Sequence, residues 1–192
     1  MDKDLAIRFL LQSTIQGLEI TDCKEKLDLN TQKFTTNIQA VTKKAHRDVL
    51  TGRFHLPNYC SEMSNNKNSV VQSLEKLILE NKQELNSTTL IDALCNEYPH
   101  VEFGAIQKLV NMTLKYIITI NTVIPAEFIR VDESNCDCPI DSKILNKLKA
   151  ENHKTHTSWT KLHKTEYIQI QNEIQSLIDK RDGNILFDFY NW

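Results

Sequence analysis

One segment of the sequence constrains the fold more than any other, because residues 102–120 read as a helix that is apolar over most of its circumference. Projected at about 100° per residue, its apolar side chains leave a single polar arc. The arc holds Gln107, Lys108, Asn111, Lys115 and Thr119. A helix with so little polar surface must be surrounded by other elements. The sequence therefore predicts a bundle with this helix at its centre.

The rest of the chain also favours helices. Only four glycines and four prolines occur in 192 residues, too few for the frequent turns of a many-stranded fold. Apolar periodicity predicts further helices at about 4–16, 31–51, 69–85, 88–96 and 157–180, and another that starts at 139–141. We therefore predict an all-α single domain over residues 1–192, with about seven helices around a central helix at about 102–120 and a flexible polar loop near 58–68.

The last nine residues are unusually aromatic and apolar. They include Ile185, Leu186, Phe187, Phe189, Tyr190 and Trp192. A free tail of this kind would promote aggregation. We expect it to dock on the body of the protein as a short strand or an extended strip.

Composition excludes several classes of protein. The 23 basic and 25 acidic side chains give a net charge of −2, which does not support a globally basic nucleic-acid binder. Glycine-rich phosphate loops and the common hydrolase motifs are absent. The start of the chain is charged and no run of 18 uncharged apolar residues occurs, so we expect a cytoplasmic protein without membrane contact.

A metal site is the first candidate for chemistry. Zinc ligand types occur together in Cys136, Cys138, His153 and His156. Both spacings are tighter than those usual in zinc sites. We therefore predict no metal and no cofactor.

The polar arc of the central helix is the leading candidate site. Gln107, Asn111 and Lys115 are spaced four residues apart, so their side chains stack along one face. Together with Lys108 they form a row of donors that would bind an anion if the arc faced a cavity. The ligand would be nucleic acid or a nucleotide-like small molecule. The alternative is a solvated stripe on a mostly buried helix.

Asp141 has two interpretations. It is well placed as the N-cap of the helix that follows it. Alternatively, it pairs with Lys115, and the two act as an acid–base or nucleophile pair in a nucleic-acid-processing enzyme.

A basic segment gives a second candidate surface. Residues 143–164 contain six lysines and three histidines against one acid. The residues that would contact a nucleic-acid backbone are Lys147, Lys149, Lys154, Trp159, Lys161 and Lys164. A smaller cluster consists of Lys43, Lys44, His46, Arg47 and Arg53. The alternative is a solvated surface that offsets acids elsewhere.

These observations lead to three functional hypotheses. The first is a non-enzymatic binding protein of bacterial or viral origin, with an anionic ligand on the polar arc. The second is the enzyme that uses Lys115 and Asp141. The third is a scaffold for a protein partner with no small ligand.

Overall fold

A computed structural model describes residues 6, 9, 31–65, 69–82, 85–123, 129–151, 158–178 and 183–191. Over these residues the fold is all-helical, as predicted, and the backbone pairing between strands is limited to one parallel bridge from Leu85 to Val131. Eight α-helices occur in this part of the chain: α1 (Thr31–Val49), α2 (Pro57–Asn65), α3 (Ser69–Glu80), α4 (Ser87–Glu97), α5 (Phe103–Val123), α6 (Ser142–Ala150), α7 (Lys164–Leu177) and α8 (Ile185–Tyr190). Short 3-10 helices span Leu50–His55, Glu133–Asn135 and Trp159–Lys161.

Helix α5 is the centre of the fold, as its apolar surface predicts. Every side chain from residue 104 to residue 120 is buried. Its most extensive contacts are with α1 and α4. Helix α1 presents the narrow apolar stripe that the sequence indicates, with Ile38, Val41, Ala45 and Val49 fully buried. The remaining faces of α5 are covered by the C-terminal half of the chain.

The structure corrects the polar loop predicted near 58–68. Residues 57–65 form helix α2, and residues 66–68 lie outside the described part. Pro57 occupies the first helical position, where its missing N–H is not needed. The carboxylate of Glu102 accepts the backbone N–H groups of Asn58 and Tyr59, at 2.9 and 2.8 Å. This cap comes from a distant part of the chain, so no local pattern shows it.

The prediction of a helix over 157–180 needs a similar correction. Trp159–Lys161 form a separate 3-10 helix, and α7 begins only at Lys164. Leu162 and His163, between them, have extended backbone conformations. The break allows the backbone of Trp159 to lie against α5.

The apolar C-terminus docks on the body of the protein, as predicted, although as a helix and not as a strand or strip. Residues 185–189 of α8 are all buried. The ring of Phe189 meets that of Phe9 edge to face, with centroids 5.4 Å apart. Ala6 and Phe9 are helical and buried, and the rest of the helix predicted at 4–16 lies outside the described residues.

None of the helices in the described ranges combines the length and the apolarity that a membrane span requires.

Candidate functional site

The polar arc of α5 faces the protein interior. Gln107, Asn111 and Lys115 have no solvent exposure, and Lys108 is 5% exposed. The groups that face Gln107, Asn111 and Lys115 belong to α7, α8 and the irregular stretch 136–141, whereas Lys108 also faces Thr51 and Trp159 of two 3-10 helices. The arc is therefore neither a solvated stripe nor the wall of an open cavity, and each side chain has partners of its own.

Two glutamines hold the stretch 136–141 in place. Gln107 donates to the carbonyl of Ile140 at 2.8 Å and accepts its N–H at 3.1 Å. Gln171 of α7 makes the same pair of bonds with Cys138, at 2.8 and 3.1 Å. Buried backbone groups without a helix or sheet must find other partners. The two side-chain amides supply them, one at every second residue.

Asn111 joins this network through Tyr167. Its Nδ2 donates to the Tyr167 hydroxyl at 2.8 Å, and that hydroxyl donates to the carboxylate of Asp137 at 2.8 Å. Burial raises the pKa of the Asp137 carboxyl, and the Tyr167 hydrogen bond offsets part of that rise. The arrangement holds α5, α7 and residue 137 together.

Lys115 forms a buried ion pair with Asp188 of α8. The Nζ–Oδ2 distance is 2.6 Å, and the two side chains are 0% and 8% exposed. The ammonium also lies over the rings of Phe9 and Phe189, at 4.1 and 4.6 Å from their centroids. Burial raises the pKa of Asp188, and the neighbouring Lys115 opposes the rise. The carboxylate that Lys115 meets is therefore Asp188, not the Asp141 that the enzyme hypothesis requires.

Asp141 is the N-cap of α6, which confirms the first interpretation of this residue. Its Oδ1 accepts the backbone N–H groups of Lys143 and Ile144, at 2.8 and 3.1 Å. Its Oδ2 lies 3.8 Å from the Nζ of Lys108. Asp141 thus contributes a negative charge beside Lys108 while its other oxygen stabilises the helix start.

Lys108 is held far more loosely than Lys115. Its Nζ lies 3.4 Å from Thr51 Oγ1, 3.8 Å from Asp141 and 4.4 Å from the centroid of the Trp159 ring. Charge-assisted N–H···O bonds are normally about 2.7–2.9 Å long. Burial lowers the pKa of Lys108, and Asp141 partly opposes this. A nearly buried ammonium with only long contacts can still donate a hydrogen bond to a further acceptor group.

Two glycines allow close packing next to Lys108: Gly52 lies where the two 3-10 helices meet, and Gly104 of α5 lies against the backbone of Trp159. A Cβ on Gly52 would lie 2.3 Å from the Trp159 ring, and one on Gly104 would lie 2.0 Å from the Trp159 carbonyl oxygen. Both positions therefore require glycine, and together they fix Leu50–His55 and Trp159–Lys161 over the N-terminal part of α5. We call these two 3-10 helices, together with Lys108, the basic junction. Its exposed basic side chains are Arg53, His55 and Lys161.

The residues of the predicted basic surface differ in their exposure and in their ion pairs. Lys149 and Lys161 are exposed, Lys147 pairs with Glu151 at 3.0 Å, Lys164 pairs with Asp92 at 2.6 Å, and Lys154 lies outside the described residues. Trp159 is only 6% exposed, so its ring is not available for stacking on a base.

In the smaller cluster, Lys44 and His46 are engaged with neighbouring side chains. Lys43, Arg47 and Arg53 are exposed.

Sequence reasoning missed Phe54, which is 82% exposed between Arg53 and His55. Nothing in the local sequence indicates that this ring is exposed. It also missed the contact between Gly52 and Trp159, which joins two basic segments more than 100 residues apart in the sequence.

Within the described ranges, no group of three or more His, Cys, Asp or Glu side chains is placed to hold a metal ion. Cys136 and Cys138 are buried free thiols. Burial raises the pKa of Cys136 well above its usual value. His153 and His156 lie outside the described residues.

Comparisons with protein-family models, curated proteins and solved structures gave no match.

Proposed function

We propose that this protein is a non-enzymatic binding protein that holds the phosphate backbone of a nucleic acid at the basic junction. The observation that carries the proposal is the loosely held ammonium of Lys108, which lies 3.4 Å from Thr51 Oγ1 and 4.4 Å from the centroid of the Trp159 ring. Thr51 and Trp159 belong to the two 3-10 helices that also carry Arg53, His55 and Lys161. We choose phosphate groups as the ligand because cationic and polar side chains bind the phosphates of a nucleic acid whatever its base sequence.

The contacts of Lys108 support an anion as the missing partner. An ammonium has three donor hydrogens. The Thr51 hydroxyl at 3.4 Å and the Asp141 carboxylate at 3.8 Å are both too distant for strong bonds. A phosphate oxygen beside Thr51 would form a short hydrogen bond with Lys108. It would also stabilise the charged form, which burial disfavours.

The rest of the polar arc does not take part in this proposal. Gln107 and Asn111 are bonded to the stretch 136–141 and to Tyr167, and Lys115 is paired with Asp188. Four arc residues were proposed as ligand contacts from the sequence. Among the described residues, Lys108 is the one of these four that has no short hydrogen bond or ion pair. The site therefore moves from the middle of α5 to its N-terminal part.

Because the protein has an overall charge of −2, we expect the basic junction, and not the protein as a whole, to attract phosphates. Lys108, Arg53 and Lys161 would neutralise about three phosphates, so the logarithm of the binding constant should fall with the logarithm of salt concentration with a slope of about −2 to −3. A much steeper slope would indicate a far larger basic surface than the junction.

Fluorescence anisotropy with a labelled oligonucleotide at low salt tests the proposal. Lys108→Met keeps a long apolar stem against Trp159 but removes the charge. We expect binding about 10- to 100-fold weaker, since a hydrogen bond to a charged group contributes about 1.5–3 kcal/mol. The matched control is Lys76→Met on α3, where the lysine side chain is 75% exposed and lies 3.9 Å from Glu80. A folded Lys108→Met variant that binds as tightly as the parent contradicts the proposal.

The pH dependence of binding gives an independent test. Phosphate binding requires the charged ammonium, and burial lowers the pKa of Lys108. Affinity should therefore fall as pH rises through a range below the ordinary lysine pKa. Lys108→Met should abolish this fall, and a wild-type profile that is flat up to the ordinary lysine range would contradict the reasoning.

A further inference from the structure

Phe54 is the most exposed large apolar side chain in the described part of the chain, at 82%. Single exposed apolar residues are common on protein surfaces and need no explanation by themselves. The position of Phe54 is unusual because Arg53 and His55, on either side of it, are exposed basic residues of the basic junction.

The geometry of the 3-10 helix relates Phe54 to Lys108. A 3-10 helix has three residues per turn, so side chains at positions i and i+3 eclipse each other. Thr51 and Phe54 have this spacing, and Thr51 Oγ1 lies 3.4 Å from the Lys108 ammonium. The ring of Phe54 is therefore on the side of the 3-10 helix that meets Lys108, roughly 6 Å further along the axis.

Arg53 contributes to the same surface. Its guanidinium lies 5.0 Å from the centroid of the Phe54 ring, within the range of a cation–π contact. This contact orients the ring while leaving most of it in solvent. An oriented, exposed aromatic ring beside cations is the arrangement that proteins use to stack unpaired bases.

We infer that the basic junction selects single-stranded nucleic acid, and that Phe54 stacks on an unpaired base next to the phosphate held by Lys108. This inference rests on the proposed function. In a duplex the faces of the bases are covered by their neighbours, so Phe54 has no partner there. The phosphates remain available in both forms, and Lys108 contributes to both.

The test compares one labelled single strand of about 12 nucleotides with a hairpin duplex of the same composition. We expect the parent protein to bind the single strand at least about five-fold more tightly, the lower end of what one stacked base contributes. Phe54→Ala should remove this preference and leave duplex binding unchanged. Phe54→Trp should keep it, and Phe54→Leu should lose it because leucine has no π face.

Tyr190→Ala is the matched control, because Tyr190 is a 63% exposed aromatic residue on α8 and should have no effect. Equal affinity for the two probes, or unchanged binding by Phe54→Ala, overturns the inference alone. A Phe54→Leu variant that keeps the full preference for the single strand also overturns the inference. That result would indicate an apolar contact of the kind a protein partner makes, not stacking on a base. Absence of binding to both probes instead overturns the proposed function. Unchanged unfolding midpoints establish that each variant is folded.

Discussion

Replacing Lys115 by methionine removes the cation from an ion pair that lies inside the protein. Asp188 would keep its place on α8, 8% exposed, without the ammonium that now lies 2.6 Å away. Breaking a buried pair by removing one partner costs about 3–5 kcal/mol, because the remaining charge is left uncompensated. The whole protein is expected to be stable by only about 5–15 kcal/mol. Lys115→Met should therefore remove a large fraction of the free energy of unfolding.

The chain contains a matched control for burial. Lys164 and Asp92 form an ion pair of the same 2.6 Å length, but their side chains are 52% and 40% exposed. Exposed pairs contribute about 0–1 kcal/mol. Lys164→Met should therefore lower the free energy of unfolding by less than about 1 kcal/mol. Because both ion pairs join a lysine to an aspartate over the same distance, burial is what distinguishes the two variants.

The double variant Lys115→Met with Asp188→Leu separates the pair from the packing. Replacing both members of a buried pair by apolar residues is often neutral or stabilising. We expect the second substitution to recover most of the loss. The loss in Lys115→Met should also shrink at acid pH, because burial raises the pKa of Asp188 and a protonated carboxyl leaves no buried charge.

Urea unfolding followed by circular dichroism, with linear extrapolation, measures these differences. In thermal unfolding, Lys115→Met should lower the midpoint by about 6–20 °C for a chain of this size. The single variant Asp188→Leu completes the comparison. If Lys115→Met costs no more than Lys164→Met, or if the double variant loses the sum of the losses of Lys115→Met and Asp188→Leu, then Lys115 and Asp188 are not paired in the folded protein.

Three further predictions test other contacts. Gly52→Ala should destabilise the protein by about 1–3 kcal/mol, measured by urea unfolding, because its Cβ would lie 2.3 Å from the Trp159 ring. Asp137→Asn should be at least as stable as the parent at pH 7. Burial raises the pKa of Asp137 in the folded protein, so the ionisation of this carboxyl lowers the free energy of unfolding of the parent as pH rises through that pKa. The difference in stability between the two proteins should vanish near pH 4, where the carboxyl is largely protonated in the folded parent. Asp141→Asn should keep the helix cap but bind the oligonucleotide a few-fold more tightly, since it removes the negative charge 3.8 Å from Lys108. Weaker binding by a folded Asp141→Asn variant would show that Asp141 assists the ligand.

The fold was largely predictable because helical periodicity is a local property. The apolar surface of residues 102–120 correctly places α5 at the centre, and the aromatic C-terminus correctly predicts docking. Helix α2 was not predictable, because the carboxylate that caps it belongs to Glu102.

The candidate site was less predictable because it depends on contacts between distant residues. The sequence identifies Lys115 as unusual but cannot choose Asp188, 73 residues away, from 25 acidic side chains. Nor does any pattern show that glutamine amides of α5 and α7 would bond to the backbone of 138–140. The closeness of Gly52 to Trp159 has no local signal either, so the junction of the two basic segments could not be derived.

The bonds from Gln107 and Gln171 to the backbone at residues 140 and 138 fix the length of that stretch. Most connecting segments tolerate insertions and deletions, because only their ends are constrained. Here the anchors lie within the segment, so a shift of one residue would move the wrong backbone groups to the two glutamines. The buried backbone groups of Cys138 and Ile140 would then lose their amide partners. This connection is therefore a place where substitutions are easier to accommodate than a change in the number of residues.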